Sequence, residues 1–157
     1  MLGRIREIFN SSSATAEETE QSHEERVRVA TCVLMLEAAT ADSEYSEEES
    51  ASVMQTLRSR YKLSKDDAEE LMDVARQRRD DSFDLWQFTN QININCTIGD
   101  KLEIVEEIWR VVYADGKLDG HEDYLMHQFR KLLNLTHKQL IDAKMKVLDE
   151  SRGSAAG

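Results

Sequence analysis

Between successive Ser, Thr and Asp residues able to cap a helix, the apolar residues of this chain recur three and four positions apart, the spacing of one helical face. In a capping box a Ser, Thr or Asp oxygen accepts the amide three residues on, and a Glu or Gln there reaches back. Ser22-His-Glu-Glu25, Ser46-Glu-Glu-Glu49, Asp119-Gly-His-Glu122 and Thr136-His-Lys-Gln139 fit this pattern. Ser64 and Thr97 head versions with Asp at the third position, and Asp81 or Ser82 is expected to cap a further helix. Between these starts, Val53/Leu57, Leu71/Ala75, Leu85/Phe88/Ile92, Leu102/Val105/Trp109/Val112, Leu125/Phe129/Leu132 and Leu140/Ala143/Val147 mark buried faces. Trp86 and Trp109 both fall in apolar stretches and are expected in the core. The spacing predicts seven helices and a short N-terminal piece in an all-α compact bundle.

The chain has 157 residues and no proline, where an average protein has about 5%. Ser, Thr and Asp caps take the place that Pro often holds at a first helical turn. Few β-branched or aromatic runs are bounded by Gly or Asn, which argues against a sandwich or barrel. A net charge of −11 disfavours nucleic-acid binding, which rests on Lys and Arg neutralising phosphates. The one dense basic stretch, Arg76-Gln-Arg-Arg79, reads as a solvated helix end whose cations complement the dipole. Cys32 and Cys96 lack CxxC spacing, so neither a disulfide framework nor a zinc site is expected, and a cytoplasmic location is the default. Val27 to Ala41 is too short for a bilayer span of about 20 residues and reads as a buried helix.

Along the chain, residues 1–9 form a short amphipathic segment with Leu2, Ile5, Ile8 and Phe9 on one side, lacking the features of a signal peptide. Residues 10–21 are small, polar and acidic and read as a flexible linker. The helical domain is expected over 22–150, with a frayed tail at 151–157.

An internal repeat organises that domain. Setting residue 41 against residue 114 aligns Met35-Leu-Glu-Ala-Ala-Thr-Ala-Asp-Ser-Glu-Tyr-Ser-Glu-Glu-Glu49 with Ile108-Trp-Arg-Val-Val-Tyr-Ala-Asp-Gly-Lys-Leu-Asp-Gly-His-Glu122. Leu63-Ser64 and Leu135-Thr136 then close the second helix of each copy. Repeat halves around 26–78 and 98–150, with Arg79 to Cys96 inserted between them, imply a pseudo-twofold bundle in place of an open solenoid.

Each copy sets an Asp at the end of one helix and a Glu in the first turn of the next. A carboxylate at a helix N-terminus is favoured by the dipole, whereas one at an exposed C-terminus is disfavoured by about 0.3–1 kcal/mol. Glu49 and Glu122 are therefore explained by their position, and Asp42 and Asp115 are not. One reading is structural: an Asx-turn at each Asp, with Gly116 supplying positive φ. The other is an oxygen-ligand site for a divalent cation (Ca²⁺, Mg²⁺ or Mn²⁺) made by Asp42, Glu49, Asp115 and Glu122. Neither turn is an EF-hand, since counting from Asp115 puts Lys117 at loop position 3 and Met126 at position 12, and counting from Asp42 puts Val53 at position 12. Glu20 and His23 give the chain's one Glu-x-x-His match, at the linker edge, so a di-iron bundle is disfavoured.

Nucleophilic catalysis has no signature, and the glycine spacing gives neither a P-loop nor a dinucleotide fingerprint. The four histidines, His23, His121, His127 and His137, are expected to face solvent, with Asp123 and His127 the one pair spaced as ligands. A non-enzyme that requires no cofactor is the default expectation.

At the doubled Ala-Asp turn with its Glu seven residues on, the sequence resembles the TerB-like family, helical tellurite-resistance domains also found at the N-terminus of some DnaJ-like co-chaperones. The resemblance covers roughly residues 26–150 and rests on Ala41-Asp42 with Glu49, Ala114-Asp115-Gly116 with Glu122, and the apolar helix before each. The start Met1-Leu2-Gly3-Arg4-Ile5 is similar too. It implies a seven-helix pseudo-twofold bundle of the bacterial cytoplasm, associated with tellurite and general stress resistance, with an acidic metal or ligand site on Asp42, Glu49, Asp115 and Glu122. Ser43 stands where the second copy has Gly116, which makes the first turn less ideal. The leading expectation is a non-enzymatic stress-resistance domain binding a divalent cation or small cationic ligand. The alternative is a protein-interaction module with no metal site, whose acidic face meets a basic partner or whose N-terminal segment touches a membrane surface.

Overall fold

A computed structural model describes residues 16–40, 47–81, 84–113 and 120–156, and within them the chain is helical with no strand. Seven helices follow one another: α1 Ala16–Ala39, α2 Glu47–Tyr61, α3 Lys65–Asp80, α4 Trp86–Asn95, α5 Ile98–Val112, α6 Gly120–Leu132 and α7 His137–Ala156. The N-terminal piece at 1–9 lies outside the described residues.

Every residue from Val29 to Leu36 is buried, and all but Thr31 are apolar or Cys, so this half of α1 must be enclosed on every side. It is packed by α2, α3, α4, α5 and α6. The second centre is α5, which buries Ile104, Val105, Ile108, Trp109, Val111 and Val112 and packs on α1, α2 and α7. Met126 and Phe129 of α6, and Leu140, Ala143 and Val147 of α7, complete the same continuous core. No helix of the described residues is long and apolar enough to cross a membrane.

Local chemistry explains the helix boundaries. Thr97 and Asp100 form a reciprocal box (3.1 and 3.0 Å), as do Thr136 and Gln139 (3.1 and 2.8 Å). Ser64 accepts from the Asp67 amide at 3.1 Å. Two expected starts fall elsewhere. Ser22 is buried inside α1, which begins at Ala16, within the stretch read as linker. Ala16, Glu17, Glu18, Glu20 and Gln21 are good helix formers, and the glutamates suit the positive end of the dipole. Asp81 is the C-cap of α3, Ser82 lies outside the described residues, and the N-cap position of α4 is Leu85. That start takes its side-chain oxygen from Asp84, whose Oδ1 accepts the Trp86 amide at 3.0 Å. At the other end α7 continues to Ala156 through the segment read as a frayed tail, since the isolated Gly153 costs a running helix only about 1 kcal/mol.

Trp109 is fully buried, but Trp86 is 60% exposed. At about 100° per residue, Trp86 sits roughly 160° around the helix from Phe88, whereas Phe88, Thr89 and Ile92 turn inward. Apolar character placed Trp86 in the core, and helical phase puts it outside.

The turns after α2 and α6 are built from the same parts. Lys62 and Asn134 both take positive φ (54° and 59°). The amides of Leu63 and Leu135 donate back to the carbonyls of Arg58 and Arg130 at 3.1 and 3.0 Å, the long bond of a Schellman cap. Arg58 Nε and Arg130 Nη1 then donate to the carbonyls of Leu63 and Leu135 (3.3 and 3.1 Å). In both places Leu-Ser or Leu-Thr leads into the next helix.

Candidate functional site

The end of α1 and the start of α2 bracket the first Ala-Asp turn, and α5 and α6 bracket the second. Asp42 falls three residues after Ala39, the last residue of α1, and Asp115 three after Val112, the last of α5. Glu49 is the third residue of α2 and Glu122 the third of α6. Along the chain the two Asp positions thus stand equally far past their helices and the two Glu positions equally far into theirs, and α1 and α5 pack on each other. Asp42 and Asp115 lie outside the described residues, as do the side chains of Glu49 and Glu122.

Among the described residues no group of three or more His, Cys, Asp or Glu side chains is arranged to hold a metal ion. The expected Asp123 and His127 pair does meet, with Oδ2 and Nε2 3.7 Å apart. The His137 ring stacks on His127, with centroids 5.3 Å apart and planes within 5°. Parallel rings aim their in-plane lone pairs along separate planes, so this arrangement does not converge on one ion. His127 is half-buried by that stack, so only part of it faces solvent as expected. Asp123 also faces Lys144 Nζ at 3.9 Å, and that ammonium lies 5.4 Å from the Trp109 ring.

A second polar cluster was not legible in the sequence. Arg60 at the end of α2 faces Glu107 at 3.3 Å and Glu103 at 3.6 Å, both on α5. Arg28 of α1 lies 5.0 Å over the Tyr61 ring. Burial pushes the Glu107 carboxyl above its ordinary value, and the Arg60 guanidinium only partly offsets that. Burial likewise raises the Tyr61 phenol. The cluster joins α1, α2 and α5 at one level, where it acts as a polar strut. Its members from different helices are 32 to 79 residues apart along the chain, and the available signal was the pair Glu103 and Glu107, spaced on the polar side of α5.

Other groups are accounted for structurally. Cys32 is a free, buried thiol pushed up to about 12 by its burial, and so is not a nucleophile at neutral pH. Cys96 is free as well. Arg79 does more than solvate a helix end: it faces Glu37 at 3.6 Å and donates to Thr40 Oγ1 at 3.5 Å, placing a cation at the C-terminus of α1. An open groove of about 590 Å³ runs along α2 past Met54, Arg58, Lys62 and Leu63, and its two cations disfavour a metal ion.

A family model described as "Tellurite resistance protein TerB" matches residues 28–145, well over half of the chain. Comparison with curated proteins and with solved structures gives no match.

Proposed function

We propose, from the premise that this chain belongs to the tellurite resistance protein TerB family, that it is a non-enzymatic, cytoplasmic stress-resistance domain. In this reading it binds a divalent cation (Ca²⁺, Mg²⁺ or Mn²⁺) through Asp42, Glu49, Asp115 and Glu122. The observation that carries it is the shared register: in both halves the Asp stands three residues past a core helix, and the Glu is the third residue of the next. The like-built turns at Lys62 and Asn134 support treating the halves as copies.

Carboxylate oxygens suit a hard cation, and charge is the reason to expect one at this place. A helix C-terminus disfavours an aspartate, and a bound cation reverses that penalty at both turns. The acidic balance of the chain adds a field that concentrates cations near its surface.

The test is calorimetric and thermal titration of Ca²⁺, Mg²⁺, Mn²⁺ and Zn²⁺ against the wild type and an Asp42→Asn/Asp115→Asn variant. Binding to the folded state raises Tm with cation concentration in the wild type and not in the variant. Equal responses from the two proteins for every metal would overturn the assignment.

A further inference from the structure

We propose that the outer face of α4 is a contact between two copies of this chain. Residues 85–99 hold no Asp, Glu, Lys or Arg, the longest such run in a chain that is 32% charged. The uncharged stretch 29–36 of α1 is buried, but this one presents Trp86 (60% exposed) and Ile94 (66%) to solvent, with Ile98 (55%) following at the start of α5. Trp86, Asn90 and Ile94 stand four apart, so they form one stripe along the side of α4 opposite Phe88 and Ile92.

The chemistry selects the occupant. Two copies, each with a net charge of −11, repel one another wherever their carboxylates meet, and an uncharged face removes that repulsion. A basic partner is drawn to carboxylates and finds none on the stripe itself, only Asp84 and Asp100 at its two ends, and an anionic lipid surface finds no cation. A twofold contact needs groups that complement themselves. Apolar side chains do so, and so does the Asn90 amide, which donates and accepts. A Lys or Glu near the axis meets its own charge. One short helix face gives an interface at the small end of the range, so the dimer is weak and forms at high protein concentration. This inference stands apart from the cation site, and neither depends on the other.

Sedimentation velocity on the full chain over a concentration series tests it, together with acrylamide quenching of Trp86, since Trp109 is fully buried. The expected result is a mass rising from monomer to dimer as quenching falls. Ile94→Lys sets two like charges across the axis and weakens the dimer by about tenfold or more, equivalent to about 1.4 kcal/mol. Trp86→Gln weakens it without adding charge, while Met145→Lys, at an exposed apolar residue on α7, leaves it intact. Circular dichroism confirms that each variant is folded. A monomer at every concentration overturns the proposal, as does a dimer insensitive to both Ile94→Lys and Trp86→Gln. Dimerisation only after removal of residues 1–9 overturns it in favour of the chain's own N-terminal segment as the occupant.

Discussion

Replacing Lys101 with Met tests how α6 is held. Lys101 is 8% exposed, and its Nζ donates to the Leu133 carbonyl at 3.1 Å, just past the last residue of α6. One carbonyl earlier, Leu132 accepts from Asn93 Nδ2 of α4 at 2.8 Å. The last carbonyls of a helix have no partner within it, so these side chains cap α6 from two neighbouring helices. Met keeps the apolar stem and removes the donor and its charge. A hydrogen bond from a charged group contributes about 1.5–3 kcal/mol, and a cation at a helix C-terminus adds roughly 0.3–1. The relief of burying an ammonium subtracts from this, so the expected net loss is about 2 kcal/mol. In a domain of this size that lowers Tm by about 4–8 °C. Urea unfolding of Lys101→Met, Asn93→Ala and the double variant measures it. Because both groups cap the same helix end, the double variant should lose less than the sum, with a coupling of about 0.5 kcal/mol or more. An unchanged or raised midpoint for Lys101→Met would show that desolvation outweighs the cap and refute the reasoning.

Two further perturbations follow from the same kind of accounting. Lys62→Gly should stabilise by about 1 kcal/mol in urea unfolding, because a non-glycine residue at φ 54° carries a left-handed penalty of that order, while Asn134→Gly gains less because Asn tolerates this region. The Glu107 carboxyl, raised by burial, takes up its proton more readily in the folded chain, so this group's contribution is present at low pH and is lost as pH rises through the folded value. Melting curves should therefore show wild type gaining stability relative to Glu107→Gln as pH falls from neutral toward 4.5, the ordinary value. A constant difference across that window would remove Glu107 as the cause.

Much of the fold was legible because its causes are local. Capping oxygens at Ser64, Thr97 and Thr136 and the helical period between them are properties of short segments, and the structure places helices where they fall. The departures have local reasons too: a Ser can cap a helix and can also be carried inside one, as Ser22 is, when good helix formers precede it. Trp86 marks a different limit. Its apolar character was evident, but its side of α4 depends on helical phase and on which face meets α1.

The candidate site divides in the same way. The spacing of Asp42, Glu49, Asp115 and Glu122 was read directly from the sequence, and the helix boundaries fall at matching distances along the chain from each Asp and each Glu. By itself, the sequence determined an all-helical chain, the capped starts at Ser64, Thr97 and Thr136, and its family motif, because backbone hydrogen bonding and helical period act over a few residues. Only the tertiary structure decided that α1 is enclosed by five helices, that Arg60 meets Glu107, that Asn93 and Lys101 cap α6, and that Trp86 faces water. Those outcomes join residues tens of positions apart, or depend on which side of a helix another element covers, and packing around a shared core fixes both.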